Sequence, residues 1–266
     1  MLWDTHMHTD FSGDSDASPK EMAQQAIRLQ LEGICITDHL DYDYPNEPEL
    51  FLLDLDRYVP SILNLKETYQ GRLDIRLGIE IGVQPHLAEK HKQIVSSLPF
   101  DQVIASSHTA KGMDPYYPEY FYGSSQEDAY IRYFSSVMEN ISCFTDFDVY
   151  GHLDYVTRYG NSPVPAYTFD SCRKQIDEIL KRLIRLEKAL EINTGGFSSA
   201  CRQVNPHPEI LKRYYELGGR IVTFGSDAHA PKDIARQFAQ AGEILRNCGF
   251  REYCSFQNRS PVFHKL

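Results

Sequence analysis

The 266-residue sequence predicts an α/β fold in which parallel strands form a closed or nearly closed barrel. Three observations carry that prediction. Seven short β-rich runs alternate with amphipathic helical segments from one end of the chain to the other. No Gly-, Ser- or Pro-rich linker divides the chain, so residues 1–266 read as a single domain. No Gly-x-Gly-x-x-Gly follows the first strand, which counts against a doubly wound dinucleotide-binding sheet.

The strands are expected at 2–8 (LWDTHMH), 33–39 (GICITDH), 74–83 (DIRLGIEIGV), 101–108 (DQVIASSH), 149–156 (VYGHLDYV), 189–195 (ALEINTG) and 220–229 (RIVTFGSDAH). Helix starts are marked between them. SPKE at 18–21 joins a Ser cap, a proline in the first turn and a glutamate three residues after the cap. SSQE at 124–127 reads as a second capping box, and NPHPE at 205–209 as an Asn cap followed by proline. Gly218-Gly219 closes that last helix. Long loops are expected at 40–51 and at the Tyr/Pro-rich stretch 111–123.

Composition narrows the function. A formal charge of −10 and the lack of any dense Lys/Arg run disfavour nucleic-acid binding. No segment approaches the ~20 apolar residues of a membrane span, and the N-terminus lacks signal-peptide features. Cys35, Cys143, Cys172, Cys201, Cys248 and Cys254 form no Cys-x-x-Cys pair and are expected as free thiols, which suits a cytoplasmic protein.

The chemistry is written at the strand ends. In an α/β barrel these converge on one face. Here they carry His6-x-His8, Asp38-His39, Glu80, His108, His152 and Asp227-x-His229, so six of the ten histidines fall on them. Side chains two apart on a strand share a face, so His6 and His8 can chelate one ion. Glu80, in the apolar run LGIEIGV, must be paired, neutralised or metal-bound, because burying a bare carboxylate is very costly. Asp14 joins His6, His8, His39, Glu80, His108, His152, Asp227 and His229 to make nine candidate ligands, enough for three divalent ions if Glu80 bridges. A His/Asp/Glu set without cysteine suits catalytic zinc, manganese or iron better than structural zinc.

The ordered motifs DTHMHTD, ITDH, GIE, SSH, GHLD and GSDAH resemble the PHP superfamily, named for its polymerase and histidinol phosphatase members. SPKEMA, FYGSSQEDAYIRYF, EINTGGF and NPHPEILKRYYELGGRIVTFGSDAH resemble its histidinol-phosphate phosphatase branch. The resemblance implies a distorted (β/α)7 barrel with its active site at the C-terminal strand ends. It implies hydrolysis of L-histidinol phosphate in histidine biosynthesis, with nucleotides or other small phosphate esters as the alternative substrates. It also implies a trinuclear centre: one ion on His6, His8, Glu80 and Asp227, a second on Glu80, His108 and His152, and a third on His39, His229 and Asp14. Many relatives have histidine where this chain has Asp14, and Asp10 and Asp16 compete for that role.

Three dications against Asp14, Glu80 and Asp227 would leave a local charge of about +3, which attracts phosphate into an acidic protein. A hydroxide bridging the first two ions is the expected nucleophile. Glu80, Asp227 and His229 are the expected catalytic groups, with Asp227 or His229 assisting the leaving alkoxide. Arg158 is the expected phosphate clamp, followed by Arg202 and Lys111. Tyr116 or Tyr117 could add a hydrogen bond from the long loop. Asp41, Asp43 and Asp154 are candidates to meet the amine and imidazole of the substrate.

Overall fold

The computed structural model describes residues 2–159 and 169–266. Seven parallel strands run in the order β1 (Trp3–Asp4), β2 (Gly33–Ile36), β4 (Asp74–Gly82), β5 (Gln102–Ser106), β6 (Val149–Tyr150), β7 (Ala189–Asn193) and β8 (Val222–Gly225). A two-residue strand β3 (His39–Leu40) continues the line of β2 and pairs with the far end of β4, where His39 faces Glu80. The barrel closes between its first and last strands. Thr5 N–H donates to Phe224 O, Asp227 N–H to His6 O, and His8 N–H to Ala228 O, each at 2.9 Å.

The regular ladders are shorter than the sequence runs. Only Trp3–Asp4 of 2–8 and Val222–Gly225 of 220–229 are regular strand, and a single bridge joins Met7 to Ala228 beyond them. The ladder breaks where the ligand-type residues begin. Asp227 adopts φ 56°, a left-handed conformation that aspartate tolerates better than most residues. That kink distorts the rim of the barrel.

Helices α1 (Pro19–Arg28), α2 (Leu55–Thr68), α3 (Ala88–Ser97), α4 (Gln126–Cys143), α5 (Arg173–Arg185), α6 (Pro208–Glu216) and α7 (Phe238–Cys248) accompany the strands. The capping box of α1 forms as predicted, with the Ser18 hydroxyl accepting from Glu21 N–H and the Glu21 carboxylate accepting from Ser18 N–H. In α5 the buried stripe Ile176, Ile179, Leu180 and Leu183 has helical spacing, and burying each such side chain contributes about 1.5–3 kcal/mol. Tyr58, from α2, donates its hydroxyl to the carbonyls of Ile36 and Gly78 at 2.9 and 2.8 Å, tying the helix to β2 and β4.

Two caps differ from expectation. Ser125, one residue later than predicted, caps α4 by accepting from Asp128 N–H. His207 caps α6 with Pro208 in its first turn, because Asn205 is engaged in backbone pairing with Asn193. At the other end of α6, Gly218 takes φ 101° and ends the helix as predicted. An antiparallel hairpin of β9 (Glu252–Gln257) and β10 (Ser260–Lys265) was not among the seven predicted strands. Its turn places Asn258 and Arg259 at positive φ, as a two-residue type I′ turn requires, without the glycine that usually announces one. The hairpin covers the end of the barrel opposite the histidines: Asn258 N–H donates to Asp101, just before β5, and Arg259 pairs with Asp148, just before β6.

Candidate active site

Nine side chains converge at the C-terminal end of the strands. Glu80, on β4, is fully buried and central. Its Oε1 lies 2.8 Å from His152 Nε2 and 3.2 Å from His108 Nε2. Its Oε2 lies 2.9 Å from His39 Nδ1, 3.3 Å from His6 Nε2 and 3.5 Å from His8 Nε2. One carboxylate therefore meets five imidazoles. The period-two pairs arrive together: His6 Nε2 and His8 Nε2 are 3.1 Å apart, and Asp227 Oδ1 stands 3.6 and 3.2 Å from them.

Asp14 is the aspartate of the first loop that reaches the cluster. Its Oδ2 is 3.0 Å from His229 Nε2 and 3.6 Å from His39 Nε2. Asp10 and Asp16 are exposed and make no ion pair among the described residues. Local hydrogen bonds fold the loop this way. Asp38 accepts from Thr9 N–H at 2.6 Å, the Thr9 hydroxyl at 2.8 Å and the Ser12 hydroxyl at 2.7 Å. The Ser15 hydroxyl then donates to His229 O at 2.9 Å, drawing Asp14 over to that histidine.

Two carboxylates behind the cluster set the imidazole tautomers. Glu191 accepts from His6 Nδ1 at 2.6 Å, from His152 N–H at 2.7 Å and from Asn193 Nδ2 at 3.1 Å. Asp41 contacts His108 Nδ1 at 2.5 Å and accepts from Gly82 N–H at 3.1 Å. Such partners leave the opposite ring nitrogen free to bind a cation. Glycine makes room for both: a Cβ on Gly225 would stand 2.0 Å from Glu191 Oε1, and one on Gly82 2.3 Å from the Asp41 carboxylate.

The titration of the cluster follows from its charges. Burial disfavours a charge on His6, His39 and His108, but neighbouring carboxylates outweigh it, and Asp41 and Glu80 hold His108 up at about 10. Burial and the nearby His39 and His229 push His8 well below its usual range. Burial would raise Glu80 and Asp227, yet the imidazoles, and for Asp227 also Arg158, hold both well below the usual carboxylate range.

This donor set fits divalent cations. His6 Nε2 and His8 Nε2 aim at one point shared with two carboxylate oxygens, an arrangement of acceptors that a cation completes. Glu80 Oε2 and His39 Nδ1 are buried and 2.9 Å apart, yet not aligned for a hydrogen bond. His6, His8 and Glu80 present ligand atoms close enough to hold one ion, as do Glu80, His108 and His152, and His8, His39 and His229.

The cluster opens into a cavity of about 150 Å³ lined also by Tyr44, Phe51, Asp114, Tyr155, Arg158 and Tyr159. Arg158 stands at the site as predicted. Its Nε donates to Asn205 Oδ1, one terminal nitrogen to Asp227 Oδ2 and the other to Asn193 Oδ1, each at 2.9 Å. Several other expected substrate contacts lie elsewhere. Lys111 is about half exposed and its ammonium pairs with Glu139 at 2.5 Å, beside a separate surface hollow. Arg202 is exposed and does not line the cavity, because its left-handed backbone (φ 49°) belongs to a surface turn. Tyr117 and Tyr116 also stand outside it, Tyr117 with its hydroxyl 3.4 Å from Glu47 and Tyr116 60% exposed.

None of the three expected amine-binding carboxylates is free. Asp41 is spent on His108, and Asp154 accepts from Asn205 Nδ2 and His207 N–H at 2.7 and 2.9 Å. Asp43 sits outside with His86 at 2.8 Å. Glu191 and Asp114 escaped the sequence reading. Glu191 carried the same signal as Glu80, a carboxylate inside an apolar strand (ALEIN). Asp114 carried none beyond its place in the Tyr/Pro loop.

Comparison with known proteins agrees with this geometry. The PHP domain family matches residues 4–195. A histidinol-phosphatase of Lactococcus lactis is 32% identical over 95% of this chain and 93% of its own length. A Clostridium acetobutylicum protein named "Probable histidinol-phosphatase" is 34% identical over 99% of this chain and 96% of its own. The crystal structure of a histidinol phosphate phosphatase from Lactococcus lactis, complexed with zinc, L-histidinol and phosphate, superposes with a TM-score of 0.90. It is 31% identical, and the match covers 98% of each chain.

Proposed function

The chain belongs to the PHP-domain family, and from that premise we propose that its buried histidine–carboxylate cluster holds three divalent ions that serve one phosphatase reaction. The reaction is the metal-dependent hydrolysis of L-histidinol phosphate to L-histidinol and phosphate, the activity of histidinol-phosphatases in histidine biosynthesis. The observation that carries the reading is Glu80, whose two oxygens face separate groups of imidazoles.

His6, His8, Glu80 and Asp227 would hold one ion, Glu80, His108 and His152 a second, and Asp14, His39 and His229 a third. Zinc accompanies the Lactococcus relative, and a His/carboxylate set also accepts manganese and iron. Bound divalent ions lower the pKa of water and neutralise phosphoryl oxygens.

The chain's own residues supply the rest. Three N–H groups of Arg158 hold Asp227, Asn193 and Asn205, which leaves two of its five donors for phosphoryl oxygens. Asp227 Oδ1 faces the cluster, where it would complete the ligands of the first ion, while its Oδ2 is fixed by Arg158. His229, about a third exposed, is more open to the entering ester than the other imidazoles of the cluster and stands by for the leaving oxygen. Glu80 shares its negative charge between neighbouring sites.

Residues 1–266 act as one catalytic domain in this reading, and six free cysteines suit the cytoplasm. The test is phosphate release by metal-reconstituted protein from histidinol phosphate, nucleotides and sugar phosphates. Histidinol phosphate should be preferred by orders of magnitude in kcat/KM. Equal turnover of the three classes would refute the assignment.

A further inference from the structure

The cavity has a second chemical end. Three carboxylates line it, and two are engaged by cationic or imidazole partners: Asp14 by His39 and His229, and Asp227 by His6, His8 and Arg158. The third, Asp114, is 2% exposed and has no ion pair among the described residues. Neutral donors hold it in place. Tyr44 donates its hydroxyl to Oδ2 at 2.7 Å, Tyr116 its backbone N–H to Oδ1 at 2.7 Å, and Tyr155 its hydroxyl to Oδ1 at 3.4 Å. Burial raises its pKa, outweighing the hydrogen bonds from the Tyr116 N–H and Tyr44 and the charge of the more distant His108.

Tyr155 links this carboxylate to the reacting end. The hydroxyl of Tyr155 is on Asp114, while its ring packs 5.3 Å from His152, 5.6 Å from His108 and 5.4 Å from the Arg158 guanidinium. The separation between phosphate-binding and carboxylate ends is thus about one tyrosine side chain. That is the scale of a phosphate ester bearing an amine on the adjacent carbon. The aromatic rings of Tyr44, Phe51, Tyr155 and Tyr159 complete the walls, and such rings attract a cation as well as an imidazole.

We infer that Asp114 is the specificity-determining residue that receives the ammonium group of the substrate, with Tyr44 and the Tyr116 backbone fixing its carboxylate for that purpose. The inference rests on the histidinol phosphate reading and assigns one of that substrate's two distinguishing groups. On this assignment amine-free esters, sugar phosphates among them, should be poor substrates, because they leave a buried carboxylate without a cationic partner.

The test compares histidinol phosphate with 3-(imidazol-4-yl)propyl phosphate, the same ester without its amine. Because both esters meet the same metal centre, their kcat/KM ratio isolates recognition of the amine. Wild-type protein should favour the amine by about 10- to 100-fold, the range for a hydrogen bond to a charged group. Asp114→Asn should bring the ratio close to one and weaken calorimetric binding of L-histidinol by a similar factor. If that variant fails to fold, Asp114→Glu, which keeps the charge but moves it by one methylene, should still lower the ratio several-fold. An undiminished ratio in a folded variant overturns the role of Asp114 alone. A wild-type protein with no preference for histidinol phosphate over sugar phosphates overturns the substrate reading instead.

Discussion

Replacing Glu191 by glutamine would test whether the tautomer of His6 governs ion binding. The native carboxylate accepts three hydrogen bonds, from His6 Nδ1, His152 N–H and Asn193 Nδ2. Glutamine offers one acceptor oxygen and one donor nitrogen in the same space. If the oxygen stays on His6, the amide N–H₂ confronts the His152 and Asn193 donors. If the amide flips, His6 must move its proton to Nε2, where it points at His8, Glu80 and Asp227. Either arrangement loses at least one charge-assisted bond, worth about 1.5–3 kcal/mol, in a site with almost no solvent. Removing such an outer partner typically weakens ion binding by about 10–100-fold. The assay is chelator competition for the bound ions, with thermal melting of the ion-free protein as the control. We expect weaker affinity at the His6 site and a lower kcat at limiting metal. Wild-type affinity in folded Glu191→Gln protein would refute the tautomer argument.

Glu80→Ala should remove more than one bound ion, because its two oxygens face different groups of ligands, and elemental analysis showing full occupancy would contradict the bridging role. Ion uptake should release protons. Burial opposes a charge on His108, but Asp41 and Glu80 hold its pKa at about 10, so at pH 7–8 a bound proton must leave before that imidazole can coordinate. Affinity at the Glu80–His108–His152 site should therefore rise with pH up to about 10 and fall by about tenfold per unit below it for each proton displaced. Calorimetry in two buffers of different ionisation enthalpy measures that count, and zero released protons would contradict the charge state.

Most of the histidine–carboxylate cluster was legible because strand geometry is local. Period-two alternation puts His6 beside His8, and a carboxylate in an apolar strand demands a partner wherever the chain goes, whereas Asp227 lies past the end of its strand at φ 56° and reaches the cluster through that kink. The strand–helix alternation carried the barrel for similar reasons. The hairpin at 252–265 was missed because its turn, Asn258-Arg259, reaches positive φ without glycine. The shift of a cap from Ser124 to Ser125 turned on one residue of register, which composition does not resolve.

What the fold alone decided is the partnership of each charge. Asp38, Asp41, Asp114, Asp154 and Glu191 are all buried acids, and the sequence does not say which one orients a histidine, which braces a loop and which lines the cavity. The answer depends on contacts between residues far apart in the chain, such as His6 with Glu191 or Tyr44 with Asp114. The same holds for the cations, where Lys111 goes to Glu139 on the surface and Arg158 to Asp227 in the cavity. Along residues 4–16, DTHMHTDFSGDSD, the sequence determined that His6 and His8 reach the barrel rim at the end of the first strand. The tertiary structure decided that Asp14, rather than Asp10 or Asp16, reaches the histidines, because Asp38 and Ser15 fold the loop against His39 and His229.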